Sequence, residues 1–210
     1  MESMLLHPCY FGPVSQFVAL TQAEKVIFEN EDNYQKQTYR NRMYIYGANG
    51  KLLLNIPIKH TGNKKQHQKY KEVRIENDFD WQKQHWRSLQ TVYRTSPFFE
   101  FYEDEFAPLY HKKYEFLMDF NYDCLQLALE SLQLDLSYTK TEEYKRKPQA
   151  ILDVRHLVNA KGEKEYELEP YTQVFSTRFG YLNDLSIVDL IFNEGPNALN
   201  YLENQKLRLI

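Results

Sequence analysis

Two stretches and one histidine of this 210-residue chain concentrate side chains that can do chemistry. The first stretch, Asn33 to Arg42, reads Asn-Tyr-Gln-Lys-Gln-Thr-Tyr-Arg-Asn-Arg, with planar amides and guanidinium forks set beside tyrosines. Lys36, Arg40 and Arg42 can clamp a phosphate or carboxylate, since a guanidinium presents a planar fork that matches either, and Asn41 can read a hydroxyl or an amide. The second stretch joins Tyr171-Thr172-Gln173 to Leu185 through Pro196 and spaces Asp189 and Asn193 four apart, on one helix face. Ser186 stands near that helix's start, where backbone donors can hold an anion. The simpler reading is that Ser186 caps the helix and Asp189 lies on its surface. His85 sits one turn from Trp81 on a partly apolar helix face. It is either a base with a pKa near neutrality or a satisfied core histidine. Cys9 is a thiol nucleophile or, more simply, a small buried hydrophobe at a strand end.

Most catalytic signatures are missing. No two of the seven glycines are separated by a single residue, so the dinucleotide fingerprint cannot occur, and no glycine opens a phosphate-binding loop ending in Gly-Lys-Ser/Thr. The chain also lacks His-Glu-x-x-His, Gly-x-Ser-x-Gly and a carboxylate-rich calcium loop. His60 and His67, with six residues between them and no nearby cysteine, read as chance placement rather than a metal site. The expectation is therefore no metal site, and the cofactor stays unknown.

The elements that must position these groups read as α/β: a mixed sheet begun by a β-α-β unit and a β-hairpin, packed with several helices. Met4-Leu5-Leu6 forms a strand ending near His7, because Pro8 disfavours helix at the residue before it. Val14, Phe17, Val18 and Leu20 recur at helical spacing after Pro13, and Lys25 to Phe28 reads as a second strand. Met43–Tyr46 and Leu52–Ile56 flank Gly47-Ala48-Asn49-Gly50, the strongest hairpin signal in the chain. Alternation in Glu72-Val73-Arg74-Ile75 predicts another strand. From Asp80, read as the N-cap, the period turns helical, with Trp81, His85, Leu89 and Val92–Tyr93 on one face up to Ser96-Pro97. Further helices are predicted over 98–109 and 112–132, and 137–149 reads as a mobile connection within one domain spanning 1–210. Ser186, with Asp189 three residues on, resembles a capping box opening a helix that Gly195-Pro196 stops.

Composition bounds the partners. A net charge of −3 gives no overall reason to bind nucleic acid or an anionic membrane. Residues 59–74 are the local exception, with six basic side chains against Glu72, and they read as a solvated loop or as a holder of a phosphate-bearing ligand. The uncharged stretch 3–23 contains His7, Pro8, Pro13 and Gln16 and no preceding basic residue, so it is read as neither signal peptide nor membrane span. Two cysteines outside any pairing or zinc spacing point to a reduced, cytoplasmic protein. Seventeen tyrosines and thirteen phenylalanines are the compositional outlier. They could form a recognition surface for carbohydrate or peptide, because rigid amphipathic rings give contact area at low entropic cost.

Several of these segments together resemble the WbqC-like family, whose bacterial members often lie in surface-polysaccharide gene clusters. The resemblance runs through Pro8-x-Tyr10-Phe11-x-Pro13, Tyr34-Gln35-Lys36 with Arg40-Asn41-Arg42, the Trp81/His85/Tyr93–Pro97 region, and Tyr171-x-Gln173 with the Leu185 to Gly195 close. It implies transfer of glycine or another small acyl or aminoacyl group onto a sugar. Under that reading His85 and Asp189 are the candidates for proton transfer. Substrate contacts would come from His7, Tyr10, Lys36, Arg40, Asn41, Arg42, Tyr171, Gln173, Ser186 and Asn193. The partner is then a small molecule or glycan. Three alternatives stay open: a non-enzymatic carbohydrate- or protein-binding module, a nucleotide-handling α/β enzyme, and an assembly or homo-oligomer partner docking through the 185–202 helices.

Overall fold

The computed structural model describes residues 3–59, 67–161 and 166–207. Strand β1 (Ser3–Leu6) leads through helix α1 (Val14–Gln22) to strand β2 (Lys25–Phe28), and the two strands pair in parallel with Leu6 opposite Phe28. This is the expected β-α-β unit. Helix α1 is buried from Val14 through Leu20, and its first turn is closed from a distance: the Asp184 carboxylate accepts the Ser15 N–H at 2.8 Å and the Ser15 hydroxyl at 3.0 Å. Strands β3 (Arg42–Gly47) and β4 (Gly50–Asn55) form the antiparallel hairpin, Gly47 facing Gly50 across the turn. Gly50 adopts φ 101°, a conformation that glycine reaches without steric cost.

Three helices follow: α2 (Trp81–Tyr93), α3 (Phe99–His111) and α4 (Leu117–Ser131). Their apolar faces account for the aromatic excess. Trp81 and Phe120 meet edge to face at 5.4 Å, Trp86 stacks on Tyr110 at 5.4 Å, and Phe99 and Phe106 both pack on Phe192. Such pairs contribute about 0.5–1.5 kcal/mol each beyond the area they bury. Strands β5 (Tyr138–Lys140) and β6 (Leu152–Asp153) complete a four-stranded parallel sheet in the order β5-β2-β1-β6. The chain closes with α5 (Ser176–Phe179), α6 (Ile187–Glu194) and α7 (Ala198–Asn204). The fold is mixed α/β. Among the described residues no helix is long and apolar enough to cross a membrane.

Five local expectations need correction. The strand over 72–75 does not form; Tyr70–Glu72 is a 3-10 turn, and Arg74 and Ile75 make single bridges to Phe116 and Ile58. The turn arises because Tyr70 is buried, its hydroxyl reaching the Pro8 carbonyl at 2.8 Å. Residues 138–140 are not mere connection: they cover the free edge of β2, with Tyr138 edge-on to Phe28 at 5.1 Å. Helix α4 begins at Leu117 rather than Lys112, since Phe116 stays extended to bridge Arg74. Asp80 makes no side-chain cap bond. Neither does Ser186, whose hydroxyl is diverted to the Phe11 carbonyl at 2.6 Å.

Candidate functional site

The residues singled out by type fall into four places rather than one. The first is the carboxyl end of the parallel sheet. His7, just past β1, lies with Asp32 and Arg40 in the interior, His7 3% and Arg40 0% exposed. Arg40 Nη2 donates to Asp32 Oδ2 at 3.0 Å and faces His7 Nε2 at 2.8 Å. The same Nε2 also stands 3.3 Å from Asp32 Oδ2, so its two neighbours ask for opposite tautomers: the Arg40 guanidinium, which only donates, for an Nε2 lone pair, and the Asp32 carboxylate for an Nε2 proton. Burial first, then the Arg40 charge, lowers the His7 pKa to about 4. The Arg40 guanidinium also covers the Tyr70 ring, 5.2 Å from its centre, and the Asn121 amide donates to both the Arg40 carbonyl and the Tyr70 hydroxyl. Cys9 is buried beside them and its thiol is pushed up to about 12 by burial, which leaves no thiolate to attack at neutral pH.

The second place surrounds His85. Its Nδ1 meets the Tyr10 hydroxyl at 2.9 Å, and that hydroxyl meets Tyr110 at 3.0 Å, between Trp81 and Phe120. Burial lowers the His85 pKa to about 4, so the ring is neutral at pH 7. The third surrounds Asp189, which is 0% exposed and receives three donors: Tyr93 O–H at 2.7 Å, Tyr171 O–H at 2.6 Å and Gln173 Nε2 at 3.0 Å. Burial pushes its carboxyl above the ordinary range against those bonds. Asn193 donates to the Asp189 backbone carbonyl at 2.7 Å. His85, Asp189 and His7 thus share no hydrogen-bond partner, although the rings around them belong to one core. They are linked through one segment: His7 and Tyr10 belong to it, its Phe11 carbonyl takes the Ser186 hydroxyl, and its Gly12 carbonyl takes the Ile187 N–H.

The fourth place opens to solvent. Lys36, Asn41 and Arg42 converge with Tyr34, Asn55, Ile56, Pro57, Ile58, Glu76 and Phe79 on a cleft of about 500 Å³. The hairpin supplies one wall, the polar 34–42 segment another, and the turn before α2 brings in Phe79. Asn41 is 4% exposed; its Nδ2 donates to the Ile56 carbonyl at 2.9 Å and to Asn55 Oδ1 at 3.2 Å, while its Oδ1 has no donor. Arg42 Nε is likewise buried without an acceptor. Burial pushes the Tyr34 hydroxyl up to about 12, against the pull of Arg42 and Arg40. The described cations of the 59–74 stretch contrast with these. Lys59 pairs with Glu76, Lys69 donates to the Glu31 carbonyl, Lys71 pairs with Glu31 and Arg74 with Glu115, while Lys64 and Lys65 lie outside the described residues. His60 does too, so its spacing to His67 has no structural counterpart here.

The sequence singled out Lys36, Asn41 and Arg42, with Tyr34 in the same stretch, and did not point to Asn55, Glu76 and Phe79 as their neighbours. An available signal was Phe79 itself, a large apolar ring inside the polar run Glu76-Asn77-Asp78-Phe79-Asp80 and 64% exposed in the fold.

The chain is 26% identical over 213 residues to an uncharacterized protein of Mycobacterium tuberculosis, Rv1507c, with 89% of this chain and 90% of that one covered. No solved structure gives a significant match. The model of the WbqC-like protein family matches residues 7–167, an interval that holds the His7–Asp32–Arg40 cluster, the His85 pair and the whole open cleft but ends before Asp189. By that match, which takes in most of its length, the chain belongs to the WbqC-like protein family.

Proposed function

We propose that the protein is a group transferase that moves a small acyl or aminoacyl group onto a sugar in bacterial surface-polysaccharide synthesis, with its substrate held in the open cleft. The observation that carries this reading is the convergence of Lys36, Asn41 and Arg42 with Phe79 and Glu76 on one accessible cavity. A concave site with few convergent polar groups and an aromatic wall is what small-molecule recognition requires. In this reading the acceptor's hydroxyl or amine forms the new bond to the acyl carbon, its proton passes to the Glu76 carboxylate, and the donor's leaving group departs with the electrons of the broken bond. Arg42 and Lys36 would neutralise charge on the donor or on the developing oxyanion.

A binding module without turnover is the second reading. What favours it is that His85 and Asp189, the groups best suited by type to move protons, are buried and outside the cleft's lining, His85 reaching it only through the Asn55 backbone. The experiment is product detection by mass spectrometry with acyl-CoAs, ATP plus amino acids, and nucleotide-sugars as donors against a glycan panel. A transferase gives a mass-shifted sugar with at least one donor, and Glu76→Gln lowers that turnover by about a hundredfold or more while retaining binding. A complete panel without product, with glycan binding intact in Glu76→Gln, establishes the binding module instead.

A further inference from the structure

Two adjacent side chains in the cleft have complementary needs. Asn41 Oδ1 is a buried acceptor without a donor, and Arg42 Nε is a buried donor without an acceptor. Buried polar atoms are rarely left unpaired, since each carries the full cost of its lost hydration. Among the described residues, the Arg42 guanidinium and the Lys36 ammonium also have no carboxylate partner, although most described cations of the neighbouring basic stretch do. Glu76, the acidic residue of the lining, is already turned toward Lys59 at 3.9 Å. The cleft therefore offers a fork and a point charge to an anion, an amide oxygen to a hydroxyl beside it, and the exposed Phe79 ring to an apolar face.

Building on the cleft reading above, we infer that the ligand is an anionic sugar: an acid group on Arg42 and Lys36, a ring hydroxyl donating to Asn41 Oδ1, and the C–H face of the ring against Phe79. The same chemistry is met by a carboxylate, as in a uronic acid, and by a sugar phosphate. A free anion satisfies Arg42 and Lys36 but supplies neither the ring nor the properly placed hydroxyl. A neutral sugar does the reverse.

Isothermal titration of the full-length chain tests this with glucuronic acid, glucose 1-phosphate, glucose and inorganic phosphate as probes. Glucuronic acid or glucose 1-phosphate should bind at least about tenfold more tightly than glucose and inorganic phosphate, since a charge-assisted pair is worth about that factor. Whichever of the two binds better identifies the acid group. Arg42→Gln should weaken that probe by about tenfold or more, and Lys36→Ala should lessen the dependence of binding on salt. Phe79→Ala should weaken both acid sugars severalfold and leave inorganic phosphate unchanged. Lys36 and Phe79 are exposed, so these two variants keep the fold, which circular dichroism verifies. Equal binding of glucose overturns the anionic assignment. Equal binding of inorganic phosphate, with Phe79→Ala silent, overturns the sugar, and no binding by any probe overturns the inference as a whole. Tight binding of an acid sugar without any product in the transfer assay leaves the inference standing and removes only the transferase reading.

Discussion

His7 and His85 show how little residue type says about protonation once burial is set. Each ring is held neutral, with its pKa lowered from 6.5 to about 4, His7 by burial and the Arg40 charge and His85 by burial. A histidine depressed in the folded state takes up its proton in the unfolded chain first, so the stability it confers is complete above pH 6.5 and is lost as pH falls toward 4. The shift corresponds to about 3 kcal/mol per histidine over that window. Asp189, pushed above its ordinary range by burial, contributes with the opposite sign, so the comparison must be made between variants. Urea denaturation from pH 7.5 to 4.5 should show His85→Gln losing stability at neutral pH but with a flatter pH dependence than the parent, by up to one proton. An unchanged slope would contradict the burial argument. Asp189 illustrates the same point: the spacing to Asn193 placed both on one helix face, but only the fold shows that Tyr93, Tyr171 and Gln173 close around its carboxylate.

At the scale of elements, local signals succeeded where an element is closed by its own residues. The β-α-β start needs only an apolar run, a proline stop and a helical period, and the hairpin needs only Asn-Gly between two strands; both are present as expected. Strands β5 and β6 were illegible because three and two residues carry no period, and their partners, β2 and β1, lie more than a hundred residues away in the chain. The end of α6 was legible through Gly195, and the structure adds a reason that no local pattern holds. Gly195 has φ 51°, and a Cβ there would stand 2.5 Å from the Phe98 ring. Gly195→Ala should therefore destabilise the protein by about 1–3 kcal/mol or more, through left-handed strain and a clash with a packed ring. A change below about 0.5 kcal/mol in denaturant unfolding would show that the α6–α7 corner repacks freely.

For the molecule as a whole, the polar 34–42 segment is the element that turns a mixed α/β fold into a candidate binding protein. Its inner residue, Arg40, is consumed by Asp32 and His7 at the carboxyl end of the sheet, while Lys36, Asn41 and Arg42 face the cleft. That division could not be read from the sequence, where all four look alike; it depends on which side of the segment the sheet and the 3-10 turn at Tyr70 close. The rest of the cleft is assembled from the hairpin end at Asn55 to Ile58 and from Glu76 and Phe79 before α2, which no local pattern joins to the 34–42 segment. The proposed ligand enters there and not around the buried His85 or Asp189. Hydrogen exchange with and without the tightest acid-sugar probe tests it most directly: protection should rise in 34–42, 55–58 and 76–79 and stay unchanged around His85 and Asp189. Protection that rises in α2 and α6 while the cleft segments stay unchanged would put the ligand against His85 and Asp189 instead.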